Sequence, residues 1–160
     1  MAIGVGDRIP EGELLELGPD GMEKHSTAEI FGGKKVVMFA VPGAFTPTCS
    51  AQHMPSYLDN IDALKGKGVD EVICIAVNDP FVMKEWGKAS GAEGKVRLLS
   101  DGSATLTKAM GLEFDGGGFG MGIRSQRYAM VVEDGVVKAL NVEKPGAFEV
   151  SSAEAIMKDL

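Results

Sequence analysis

The chain has two thiols, Cys49 and Cys74, and two imidazoles, His25 and His53. A thiol can ligate a metal, close a disulfide or attack as an anion. A structural zinc site calls for four Cys or His ligands at close spacing. No CxxC occurs and the two histidines lie far apart, so we expect no metal and no cofactor. One pair of cysteines is not a secreted disulfide framework. Nucleophilic attack remains, and Cys49 is the better placed thiol. It follows the apolar run KKVVMFA and the rigid stretch VPGAFTPT. Thr46 sits where an N-cap belongs and Pro47 suits the first helical position. Cys49 is then the third residue of a helix, where unpaired N–H groups and the helix dipole favour a thiolate. A thiol between the carboxyl end of a strand and a helix start also lies in the usual ligand crevice of an open α/β sheet.

A free thiol has a pKa of about 8.5, so only a few per cent is anionic at pH 7. Lowering such a value by two to three units takes roughly 3–4 kcal/mol. A helix terminus supplies about 0.3–1 kcal/mol, ~2 at best, whereas a cation about 4 Å away adds about 4 kcal/mol at intermediate dielectric. The arginines are Arg8, Arg97, Arg124 and Arg127, the last two within GIRSQRYAMVV. Strand alternation puts Arg127, Ala129 and Val131 on one face and Tyr128, Met130 and Val132 on the other. Arg124 then points away from Arg127, so one of them reaches the sulfur; alternation does not choose. A plainer reading stands beside this one. A cysteine near a helix start can be a small buried hydrophobe, and Thr-Pro can be a capping pair without chemistry.

The elements around Cys49 follow from pattern and punctuation. ELLEL, GPDG and MEK, within 13–24, read as a hairpin. Ser26 caps a short helix, STAEIF, stopped at Gly32-Gly33. Residues 35–41 are a strand buried on both faces. Met54, Tyr57, Leu58, Ile61 and Leu64 recur at helical steps after Pro47, with Gly66 and Gly68 as the stop. Pro55 falls inside that helix, where it clashes with the carbonyl of Ala51, so a kink is expected. EVICIAVND, 71–79, is a second buried strand, and Asp79-Pro80 starts the helix carrying Trp86. A strand near 96–99 precedes a helix capped by Ser103. Gly111 to Gly122 is expected to be loop, RYAMVVEDGVVKALNV a hairpin across Asp134-Gly135, and SSAEAIMKDL a helix with the Ser151–Glu154 capping signature. The order implies one α/β domain over 1–160, a mixed central sheet flanked by helices with an N-terminal β-hairpin.

The segment PGAFTPTCSAQHMPSY resembles the active-site motif of the peroxiredoxins, P-x-x-x-T-x-x-C, with Pro42, Thr46 and Cys49 in its fixed positions. VNDPFVMKEWGK, LLSDGSATLTKAMGLE, RSQRYAMVVEDG and SSAEAIMKDL resemble the atypical type II subfamily in the same order, along essentially the whole chain. The resemblance implies a thioredoxin-like fold. It also implies a thiol-dependent peroxidase that reduces hydrogen peroxide and alkyl hydroperoxides without metal or flavin. It makes Cys49 the peroxidatic cysteine, oxidised to a sulfenic acid. Thr46 places its hydroxyl on the thiolate and the peroxide, in competition with its capping role. The family's arginine precedes an aromatic residue, which selects Arg127 before Tyr128. Pro42 shields the sulfur from water. Glutaredoxin with glutathione, or thioredoxin, is the implied reductant, and a homodimer the implied assembly. Ser56 stands where relatives usually have glycine.

The remaining features carry paired readings. Cys74 is an apolar position in mid-strand or, by the subfamily's spacing, a resolving cysteine; a disulfide requires Cα atoms about 4.4–6.8 Å apart. His53 is a polar neighbour of the site or, with Cys49, the dyad of a cysteine hydrolase. His25 reads as a loop residue. DGGGFGMG, 115–122, precedes a strand, so it is no dinucleotide cradle but a loop bordering the pocket. Phe45, Phe81 and Phe119 are core residues or dimer contacts. A non-catalytic thioredoxin-like binding module is the third functional class. The net charge of −7 argues against a nucleic-acid surface. MAIGVGDRIP lacks the basic and apolar regions of a signal peptide, and no apolar run approaches the ~20 residues of a membrane span. The expected setting is the cytoplasm, or an organelle after removal of a targeting segment.

Overall fold

The computed structural model describes residues 2–160. The order of elements is β1 (Glu13–Gly18), β2 (Gly21–Ser26), α1 (Thr27–Phe31) and β3 (Lys35–Val41), then a wide helical turn at Cys49–His53, α2 (Met54–Leu58), α3 (Ile61–Gly66), β4 (Glu71–Ala76) and α4 (Pro80–Ser90). The chain continues through β5 (Arg97–Ser100), α5 (Thr105–Ala109), β6 (Glu113–Asp115), β7 (Ile123–Ser125), β8 (Tyr128–Glu133), β9 (Val136–Val142) and α6 (Ala153–Met157). Seven strands form one mixed sheet in the order β2-β1-β5-β4-β3-β8-β9. β3, β4 and β5 run parallel, and β8 pairs antiparallel with β3. The expected hairpins at 13–24 and across Asp134-Gly135 are both present. Asp134 and Gly135 have φ of 47° and 80°, as a tight two-residue hairpin turn requires.

The central strands are apolar throughout because helices cover both faces. Val37, Phe39 and Val41 of β3 join Met54, Tyr57 and Trp86 on one side. Val36, Met38 and Ala40 join Ile30, Leu106 and Met110 on the other. β8 divides as alternation requires: Ala129 and Val131 pack with Cys49, while Tyr128, Met130 and Val132 face the opposite layer. Cys49, with the strand end and helix start that hold it, therefore belongs to the first layer.

Several local expectations are corrected. The helix after Pro47 is interrupted: its second turn, Cys49–His53, is a π turn in which Met54 N–H reaches back to the Cys49 carbonyl. Pro55 follows directly on this π turn, inside helical backbone that runs unbroken from residue 47 to residue 58, and gives no N–H to the ladder. The disturbance expected at Pro55 therefore includes a π turn, the helix widening just before the proline. α5 is not capped by Ser103; the Asp101 carboxylate accepts from Leu106 N–H and Thr107 N–H at 3.2 and 2.7 Å. The cap of α6 is Ser152 rather than Ser151. The expected loop at Gly111–Gly122 contains strand β6, which pairs with β7. β4 ends at Ala76, so residues 77–79 are connection. His25 lies in β2 beside Glu16, Glu23 and Glu29 rather than in a loop. Phe45, Phe81 and Phe119 are 54%, 58% and 78% exposed, which removes them from the core. Among the described residues no helix is long and apolar enough to cross a membrane.

Candidate active site

After β3 the backbone turns sharply through Pro42–Thr46. Phe45 has φ of 65°, a left-handed conformation that a bulky residue adopts only under strain. The turn is held by Ala44 N–H, which donates to Asn78 Oδ1 at 2.9 Å. Gly43 permits its close approach, since a Cβ there would meet Thr46 Cγ2 at 3.1 Å and Arg124 Nη1 at 3.2 Å. Thr46 takes the cap position in its backbone, its carbonyl accepting from Ser50 N–H at 2.9 Å. Its side chain does not cap the helix. Thr46 Oγ1 lies 2.7 Å from the Gly43 carbonyl and 2.8 Å from Cys49 Sγ. One hydroxyl has one proton. With a thiol at Cys49, that proton goes to the carbonyl and Oγ1 accepts from S–H; with a thiolate, it turns to the sulfur. Oγ1 is thus turned to the sulfur and the Gly43 carbonyl and not to the N–H groups of the helix start.

Cys49 is fully buried. Arg127 comes to it from the connection into β8, its Nη2 donating to Sγ at 3.1 Å. Arg124, on β7, donates instead through Nε to the Met121 carbonyl. The other end of the Arg127 fork, Nη1, lies 2.8 Å from His53 Nδ1. His53 Nε2 is 3.0 Å from the Ser151 carbonyl, which only accepts. The proton therefore sits on Nε2, and Nδ1 accepts from the guanidinium. Burial first, and the Arg127 charge second, push the pKa of His53 down to about 3. Both ring nitrogens are engaged away from the sulfur, so His53 offers Cys49 no base and the hydrolase dyad is not formed. The imidazole is wedged between Phe39 and Phe148, at centroid distances of 4.8 and 5.0 Å. The pairing of His53 with Arg127 escaped sequence reasoning.

Pro42, Thr46, Phe114, Phe119, Met121 and Arg127 line a cavity of about 920 Å³ over this cluster. The glycine-rich segment thus borders the pocket, as expected. A second cleft of about 810 Å³ lies near the N-terminal hairpin; there Arg97 is already paired with Glu16 and Glu71. Cys74 is a free, fully buried thiol in the middle of β4, in register with Phe39 and Leu98. Burial, then the neighbouring Cys49, push its pKa up, so it is no ready nucleophile. Ser56, the departure noted above, donates to the His53 carbonyl at 3.0 Å and accepts from Ala153 N–H at 3.2 Å. It ties the π turn to the start of α6.

A mixed sheet with a buried thiol at a strand-to-helix crossover, held between a hydroxyl and a guanidinium, describes a thiol-based redox protein. The Redoxin family model matches residues 4–157. Peroxiredoxin-2E-2, chloroplastic, from Oryza sativa subsp. japonica is 49% identical over 163 residues, covering 99% of this chain and 72% of the relative. Peroxiredoxin-2B from Arabidopsis thaliana is 46% identical, over 99% of this chain and 98% of its own. Reduced Prx3 from Vibrio vulnificus, crystallised in complex with hydrogen peroxide, superposes with a TM-score of 0.94 at 54% identity, over 98% of each chain. The chain belongs to the redoxin family and, within it, to the type II peroxiredoxins. Its fold is thioredoxin-like and its activity is that of a thiol-dependent peroxidase.

Proposed function

We propose that residues 1–160 act as one catalytic domain in which Cys49 is the peroxidatic cysteine. Its thiolate attacks one oxygen of a hydroperoxide. An S–O bond forms as the O–O bond breaks, and the second oxygen leaves as water or alcohol once protonated. The sulfur becomes a sulfenic acid and the peroxide is reduced. Two external thiols then return Cys49 to the thiol, releasing water and becoming a disulfide.

The observation that carries this reading is the convergence of Arg127 Nη2 at 3.1 Å and Thr46 Oγ1 at 2.8 Å on one buried sulfur. A guanidinium beside the sulfur steadies the charge as it passes to the departing oxygen. Thr46 stays hydrogen-bonded at the sulfur, and the proton lost by the Cys49 thiol, returned through solvent, completes the departing water or alcohol. Pro42 forms the cavity wall that limits water at the sulfur. Hydrogen peroxide is proposed as a substrate by likeness to the peroxide-bound relative. The apolar lining given by Phe114, Phe119 and Met121 suits alkyl hydroperoxides as well. Glutaredoxin with glutathione, or thioredoxin, is the proposed reductant. Cys74 is proposed to be structural, because it is fully buried in mid-strand and burial raises the pKa of its thiol. Exposed Phe45 and Phe81 favour a homodimer. The cytoplasm is the proposed setting; the chloroplastic relatives keep an organelle in view.

A steady-state hydrogen peroxide assay with glutaredoxin or thioredoxin, run on the parent and on Cys49→Ser, tests the reading. Turnover that disappears in the variant is expected. Turnover that persists in it removes Cys49 from the reaction.

A further inference from the structure

Beyond β9 the chain crosses the mouth of the site and returns to begin α6. Glu143 opens this segment and is only 7% exposed. Its carboxylate receives four donors from a single stretch of three residues. They are Glu149 N–H at 2.8 Å, Val150 N–H at 2.9 Å, Ser151 N–H at 2.8 Å and Ser151 O–H at 2.7 Å. Burial pushes this carboxyl up, and the bonds from Ser151, Glu149 and Val150 outweigh it, holding the group below its ordinary range. Burying a charge in a connecting segment is expensive, and the consequence of the arrangement reaches the sulfur. The strap held by Glu143 presents the Ser151 carbonyl to His53 Nε2 at 3.0 Å and to Tyr57 O–H at 2.9 Å. That carbonyl fixes the proton on Nε2 and so leaves Nδ1 free to receive Arg127 Nη1. A second route is direct: Glu143 N–H donates to the Arg127 carbonyl at 2.9 Å.

We propose that Glu143 is a positioning residue for peroxide reduction: by clamping residues 149–151 it fixes the tautomer of His53, which in turn aims the Arg127 guanidinium at Cys49. The relay runs Glu143, Ser151, His53, Arg127, Cys49, with each link a hydrogen bond of 3.1 Å or less. It rests on Cys49 being the reacting sulfur and Arg127 its cation. A carboxylate suits the clamp because it offers acceptors only, and charge-assisted bonds hold a strap more tightly than neutral ones.

The test compares the parent with Cys49→Ser, Glu143→Gln and Ser151→Ala. Two readouts are taken: the stopped-flow rate constant with hydrogen peroxide, and the tautomer of His53 from long-range ¹H–¹⁵N spectra of the ring. Glutamine puts an NH₂ donor among N–H donors. It is expected to lower the rate constant by about tenfold and to mix the two tautomers of His53. A purely structural role would not move the tautomer. A folded Glu143→Gln with the parental rate and tautomer overturns the proposal while leaving the assignment of Cys49 intact. A Cys49→Ser variant that still reduces peroxide overturns that assignment and the proposal with it. If Glu143→Gln does not fold, Ser151→Ala decides, since it removes one donor of the clamp. A loss of about two- to threefold is then expected, and parental behaviour in both readouts overturns the proposal.

Discussion

Replacing Arg127 by lysine keeps a positive charge and removes the fork. In the parent, one guanidinium donates to Cys49 Sγ at 3.1 Å and to His53 Nδ1 at 2.8 Å. At 3.1 Å and an effective dielectric near 20, full removal of the charge forfeits about 5 kcal/mol of attraction. That figure is an upper bound, because Arg127 is only partly buried and solvent screens it. Lysine retains part of the attraction. It gives up one charge-assisted hydrogen bond to the reacting sulfur, worth about 1.5–3 kcal/mol. At about 1.4 kcal/mol per tenfold, Arg127→Lys should slow the reaction with hydrogen peroxide by roughly ten- to a hundredfold. Arg127→Met should slow it further. Trp86 offers the signal: its Nε1–H donates to Ser50 Oγ at 3.0 Å, next to Cys49 in sequence, so its fluorescence should report oxidation of the sulfur in a stopped-flow trace. An Arg127→Lys protein reacting within threefold of the parent would refute the two-point role of the guanidinium.

Thr46→Val deletes the hydroxyl that contacts the sulfur and should lower the same rate constant about tenfold or more, whereas Thr46→Ser should retain most of it. Cys74→Ser should keep turnover with an external thiol reductant while thermal unfolding reveals a loss of about 1–3 kcal/mol from burying a hydroxyl in β4; loss of turnover in a folded variant would make Cys74 a resolving residue. The hydrogen bond that His25 donates to Glu29 raises the pKa of His25 above 6.5, burial opposes it, and Glu23 reinforces the rise. A raised folded value means that the stabilisation is complete below pH 6.5 and fades as pH climbs through the folded pKa. Denaturation of the parent and His25→Gln should therefore differ most on the acid side and converge above it.

The sheet was legible because β3 and β4 are unbroken apolar runs, which only a strand covered on both faces requires. Alternation along β8 was also legible, and it put Arg127 on the layer that holds Cys49. It could not choose between Arg124 and Arg127. The two short strands β7 and β8 break between those residues, so the choice came from family resemblance. The π turn was hidden because apolar spacing of three and four tolerates one extra residue per turn. Pro55 marked the disturbance without giving its form, and the π turn leaves His53 and Met54 both buried. The His53–Arg127 pair spans 74 residues, a separation at which single-sequence patterns carry no signal. Nothing in NVEKPG announces a buried carboxylate, since Glu143 gains its donors only when 149–151 folds back. The exposed Phe45, Phe81 and Phe119 had no periodic partners, so residue type alone left core and dimer contact both open, and their exposure removes the first.

The claim on which all of this depends is that sulfur 49 reacts first because a hydroxyl and a guanidinium prepare it. Exposure of the reduced protein to sub-stoichiometric hydrogen peroxide, followed by dimedone trapping and peptide mass spectrometry, measures this directly. Trapped sulfenic acid should lie on Cys49, with Cys74 and the methionines unmodified and with the yield sharply reduced in Arg127→Met. Label spread over both cysteines, or equal yield without the guanidinium, would contradict it.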